Sequence, residues 1–160
     1  MKKPRKGAAT ESPTKQLASF IAKFDPKVAR LIRSSRMAMR KRFPTASELV
    51  YDNYNFLAIG FASTERTSDC IFSLAANAKG VSLFFYYGAK LADPNKILLG
   101  SGNQVRFIRL ESAATLSKPQ VTELMRTAVA QAKTPLPATG GGQLIIKSIS
   151  SKQRPRRTGS

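Results

Sequence analysis

Asp52, Asp69, Cys70 and the closely spaced Gly100 and Gly102 are the residues whose types point first to chemistry. Drawn together by a fold, Asp52 and Asp69 would make a carboxylate pair for acid–base work or a site for a hard metal ion. The ordinary reading of Asx residues beside Asn53 and Asn55, in a chain with Arg66, Arg106 and Arg109, is turns and ion pairs. Cys70 stands in a strand-like run and reads as a buried small hydrophobe rather than a nucleophile. The stretch LGSGNQVR (99–106) offers backbone N–H groups for an anion nest, with Arg106 as counter-charge. It lacks the full glycine fingerprint and is followed by a strand signal, not a helix, so a turn launching that strand is the competing reading. The chain has no histidine. That excludes His–Cys zinc sites, Ser–His and Cys–His pairs and histidine general bases, and leaves carboxylates, lysines, tyrosines and backbone groups. No catalytic residue, metal ligand or cofactor is expected.

Aromatic residues give a second candidate. In Val81–Tyr87 the alternation sends Val81, Leu83, Phe85 and Tyr87 to one face and Ser82, Phe84 and Tyr86 to the other. Phe56–Ala62 likewise has apolar groups on both faces. Two aromatics on the side that should meet water suggest a ligand groove or partner surface. Alternatively the loop 88–103 folds over them as extra core. The ligand-binding candidates are Tyr51, Asn53, Arg66, Phe84, Tyr86, Gly100, Gly102, Gln104 and Arg106, contacting a small molecule or a protein partner.

Charge gives a third candidate. The net charge is +18, with 27 Lys/Arg against nine Asp/Glu. Residues 1–46 hold 13 cations against two acids and residues 133–160 six against none, while the middle is nearly balanced. Such arms attract polyanions. The nucleic-acid candidates are Lys27, Arg30, Arg33, Arg36, Arg40 and Lys41 on a helix, and Arg154, Arg156 and Arg157 in the tail. No recognised nucleic-acid-binding signature accompanies them.

The elements that must position these residues are readable from periodicity. Residues 1–14 are expected to be a disordered basic arm. Helices are expected over 16–24 and 26–42, the second with Asp25 as N-cap and Pro26 at its first position. Strands are expected over 48–53, 56–62, 70–77, 81–87 and 105–111, the first four as an antiparallel meander. A last helix over 119–132 follows the S-x-x-Q pattern of Ser117 and Gln120. Residues 15–132 then form one domain. Residues 133–160 are a Gly/Pro linker, a lone strand-like run (QLIIKSIS) and a basic tail. The class is α+β, a two-layer sandwich with a five-stranded, mainly antiparallel sheet and the helices on one face. No stretch is long and apolar enough to span a bilayer, the start has no apolar region behind its charges, and one cysteine fits a reducing cytoplasm.

The stretches ELVYDNYNFLAIGF (48–61), TERTSDCIFSLA (64–75), VSLFFYYGAKLADPNKILLGSGNQVRFIRLES (81–112) and the terminal GGGQLIIKSISSKQRPRR resemble the YdhG-like family of uncharacterised domains. The resemblance covers residues 29–157. It implies a small α+β domain of frataxin-like shape and supplies no established catalytic residue. Some relatives are described as frataxin-like iron chaperones. Frataxins hold iron through an acidic first helix, whereas the helix 26–42 here has seven Lys/Arg and no acid, which repels cations. The expectation is a non-catalytic cytoplasmic binding domain, with a nucleic-acid accessory role as the alternative and iron handling disfavoured.

Overall fold

The computed structural model describes residues 11–158. Helices α1 (Pro13–Ile21) and α2 (Pro26–Arg42) precede strands β1 (Ser47–Asp52), β2 (Leu57–Ala62), β3 (Cys70–Asn77), β4 (Gly80–Phe85) and β5 (Arg106–Leu110). Helix α3 (Pro119–Ala130) and strand β6 (Leu144–Ile149) complete the chain. The class is α+β, with an open, mixed sheet in the order β5-β4-β3-β2-β1-β6. Among the described residues no helix is long and apolar enough to cross a membrane.

The sheet has six strands, not five. The four pairings from β1 to β5 are antiparallel, the first three joined by short connections and the fourth by the longer segment 86–105. The extra strand is the run QLIIKSIS, which lies parallel to β1 with Leu49 opposite Ile145 and Val50 opposite Ile146. The C-terminal segment is therefore part of the body, and the boundary expected at residue 132 is corrected. Gly142 has a packing reason: a Cβ there would lie 1.7 Å from the Ala46 carbonyl oxygen, so only glycine lets the chain pass this close to the start of β1.

Alternation decides the core. Val50, Ile59, Phe61, Phe72, Leu74, Leu83 and Phe85 are all buried, in one cluster with Leu17, Phe20 and Ile21 of α1, Ile32 and Met39 of α2, and Val121, Leu124 and Met125 of α3. Helix α1 begins before the expected position because Ser12 caps it, accepting a hydrogen bond from the Lys15 N–H. Asp25 precedes α2 as expected but makes no side-chain cap. Its carboxylate accepts instead from the Thr158 N–H and hydroxyl, at 3.1 and 3.0 Å. These bonds hold its carboxyl below the ordinary 3.8. Ser117 does not cap α3 either. It ends a 3-10 turn (Ala113–Ser117), and the helix starts at Pro119, whose missing N–H needs no cap.

The tail is tied down by charge. Asp52 is fully buried and pairs with Arg156 at 2.9 Å and with Lys23 at 2.7 Å. Arg156 is 4% exposed, also donates to the Asn53 carbonyl, and lies over the Phe24 ring. Removing one partner of such a buried pair costs about 3–5 kcal/mol, because the other charge is left enclosed without water.

A candidate ligand groove on the open sheet face

The helices cover one face of the sheet. On the other, β2 presents Ala58, Gly60 and Ala62 between the core-facing Leu57, Ile59 and Phe61. The pairing register sets Ala58 beside Ala75 and Gly60 beside Ser73 of β3, so two neighbouring central strands are small on this face. The strands outside them are large. Tyr51 of β1 stands opposite Ala58, and Phe84 of β4 opposite Ser73. Wall and wall are separated by three strand spacings, about 14 Å at the backbone. The result is a groove of about 400 Å³ with a floor of Ala58, Gly60, Ser73 and Ala75 and walls of Tyr51, Phe56, Phe84 and Tyr86. Phe84 is held upright by stacking on Phe107 of β5, ring centroids 4.9 Å apart.

The groove is electrically neutral. Its polar edge consists of Asn53, Thr67, Ser73 and the two phenols, with no ionised side chain in the lining. Burial raises the Tyr51 and Tyr86 phenols above their ordinary value, so both keep their protons. Tyr51 shares a hydrogen bond with the Thr67 hydroxyl. The Tyr86 hydroxyl has no hydrogen-bond partner among the described residues and is free to serve a ligand. Cys70 sits at the end of the floor, its sulfur 2.8 Å from where a Cβ on Gly60 would be. Burial pushes its thiol up to about 11, with Asp69 adding to the rise. It is a neutral filler, not a nucleophile.

The loop expected to roof this face does not do so. Leu91, Ile97 and Leu98 join the helix-side core instead, and the segment 92–97 lies against α3. Of the ligand-binding candidates, Tyr51, Asn53, Phe84 and Tyr86 line the groove. Asn53 accepts a hydrogen bond from Ser148 of β6. The other five are elsewhere. Arg66 pairs with Asp69 at 3.3 Å and borders a separate cavity of about 480 Å³ with Lys90 and Lys133. Arg106 does not serve as a counter-charge to an anion nest. It donates to the carbonyls of Gly102 and Val105, at 2.6 and 2.8 Å, and closes its own turn. Gly100, with φ +112°, shapes that turn, and the Gln104 carbonyl accepts from the Ala89 N–H. Sequence reasoning missed Thr67, Ser73, Ala75 and Val105. Only the i, i+2 spacing of Ser73 and Ala75 could have signalled the floor.

The carboxylate pair does not assemble. Asp52 and Asp69 lie at opposite ends of β2, the first in its ion pairs and the second bonded by Thr64, Thr134 and Arg66. Among the described residues no three His, Cys, Asp or Glu side chains come together.

The basic candidates divide in two. Arg36 makes a two-pronged pair with Glu48, at 2.7 and 3.0 Å, and Arg40 approaches the same carboxylate at 3.5 Å. Arg156 is buried, and Arg157 donates to the carbonyls of Ala22 and Lys23 at the end of α1. Arg156 is thereby removed from any nucleic-acid surface. Arg154 stacks over Tyr54. Lys27, Arg30, Arg33 and Lys41 have no carboxylate partner among the described residues and surround a different depression. No family model, curated protein or solved structure matches the chain.

Proposed function

We infer that the protein is a non-catalytic binding domain that holds a flat, uncharged, largely apolar molecule on its open sheet face. The observation that carries this reading is the neutral groove itself, small-floored and aromatic-walled, on the sheet face opposite the helices. A ring system laid on Ala58, Gly60, Ser73 and Ala75 meets Tyr51, Phe84 and Tyr86 at its edges, and the Tyr86 hydroxyl supplies one donor for orientation. The sheet's other face forms the core, so the groove costs the fold little. Kinship with the YdhG-like domains, the frataxin-like shape that goes with it and a cytoplasmic location belong to this proposal and rest on the sequence stretches quoted above. The nucleic-acid alternative draws on fewer residues than the sequence suggested, because Arg36, Arg40, Arg156 and Arg157 have partners within the fold.

A fluorescence titration with the neutral planar probe 1-aminoanthracene tests it. Wild-type protein is expected to bind the probe, and Ala75→Phe, which fills the floor without entering the core, to weaken binding about tenfold or more. Its thermal midpoint should stay close to wild type. An unchanged affinity in Ala75→Phe, or no binding by the wild type, contradicts the proposal.

A further inference from the structure

Helix α2 carries a second depression, remote from the sheet groove and unexplained by it. Lys27, Leu31, Ser34, Ala38 and Lys41 recur at helical spacing along one side, so the stripe runs about 21 Å, nearly four turns. The far bank is the segment Glu111–Ser112–Ala113 that follows β5, and the trough between has a volume of about 720 Å³. Its apolar lining is Leu31, Ala38 and Ala113, with Met37 projecting at its edge. Met37 is 69% exposed, so its side chain is open to a partner. The rim is cationic, with Lys27, Arg30, Arg33 and Lys41 against the single acid Glu111. Of the neighbouring cations on this helix, Arg36 and Arg40 share the Glu48 carboxylate, and Arg42 donates to the Thr122 hydroxyl, which is uncharged. The trough thus gathers four cations against one acid along a single side of α2.

We propose that this trough is the docking site for an acidic amphipathic helix of a partner protein. The trough's length suits about four turns of helix, its apolar lining takes the i, i+3/i+4 anchors, and its cationic rim takes the flanking carboxylates. A second copy of this chain does not fit. The protein has nine acidic residues in all, and Asp25, Glu48, Asp52, Asp69 and Glu123 are already in ion pairs within the fold. The first ten residues hold four cations and no acid, so they do not supply the complement either. A nucleic-acid backbone would use the rim and leave the apolar lining unserved, and a bilayer surface calls for a broader apolar face than Leu31, Met37, Ala38 and Ala113 present.

The test uses the full-length protein and a fluorescein-labelled helical peptide of about 20 residues, with leucines at i, i+3 and i+4 and glutamates flanking them. Binding is read by anisotropy near physiological ionic strength. A scrambled peptide of the same composition, a labelled single-stranded DNA of random sequence and phosphatidylserine vesicles are measured alongside. The amphipathic peptide is expected to bind at least tenfold more tightly than its scramble. Met37→Asp, at an exposed position, and separately Lys27→Glu should each weaken it about tenfold or more while leaving 1-aminoanthracene binding unchanged. Equal binding of the scramble shows charge attraction alone and overturns the proposal. So does an unaffected Met37→Asp variant, an absence of peptide binding, or tighter binding of DNA or vesicles that is lost in the same variants.

Discussion

Cys70 illustrates how one side chain's surroundings settle its role. It is 3% exposed, lies between the Gly60 backbone and the groove, and has its thiol raised to about 11 by burial. A raised acid favours the neutral form in the fold, so this contribution to stability is complete below the ordinary value of 9.0 and is lost as pH climbs from there through 11. Between neutrality and pH 9 the folded protein is expected to react with iodoacetamide at least about tenfold more slowly than the protein unfolded in guanidinium. Equal rates at pH 8 would show an accessible thiolate and remove Cys70 from the groove floor. Phe84 and Tyr86 are the site residues that the sequence exposed best, since strict alternation with the buried Leu83 and Phe85 leaves them only one other face. Arg106 was misread for the opposite reason. An arginine near glycines advertises an anion, but its partners were two carbonyls of its own turn, which no pattern of residue types encodes.

At the scale of elements, the open face depends on what each strand puts beside its neighbour. The antiparallel meander was legible because the first four runs are rich in β-branched and aromatic residues, their connections are short and no helical pattern lies between them. The floor was less legible, since Ser73 and Ala75 carry no hydrophobic signal and acquire meaning only through the register with Gly60 and Ala58. The partner of β6 was not legible at all. Parallel pairing to a strand nearly a hundred residues earlier is set by the path of the chain, and the glycines before it look like an idle linker. Gly142→Ala is therefore a discriminating substitution. With the Ala46 carbonyl where the Cβ must go, β6 is expected to detach from β1, taking Arg156 away from Asp52. Amide exchange should then lose its protection over 144–149, with a loss of about 3–5 kcal/mol in stability. Retained protection in the alanine variant would mean that the close approach is not what seats the strand.

Across the whole molecule, charge and apolar surface are partitioned. The acids that could neutralise α2 and the tail are spent on a few cations that fasten one element to another: Arg36 to β1 through Glu48, Arg156 to β1 through Asp52, Arg157 to the start of α2 through Asp25. Four cations without a carboxylate partner among the described residues, Lys27, Arg30, Arg33 and Lys41, stand together on the outside of α2. The open sheet face keeps a neutral groove. The cationic side of α2 and the uncharged groove thus offer different chemistry to a partner, charge attraction at one and shape and stacking at the other. The measurement that tests this division most directly is the amide NMR spectrum of the full-length protein titrated with 1-aminoanthracene. Saturable shifts centred on Tyr51, Gly60, Ser73, Ala75 and Phe84, with α2 unmoved, are the predicted result. Shifts confined to α2, or spread evenly over the molecule, would contradict the sheet-face groove as the binding site.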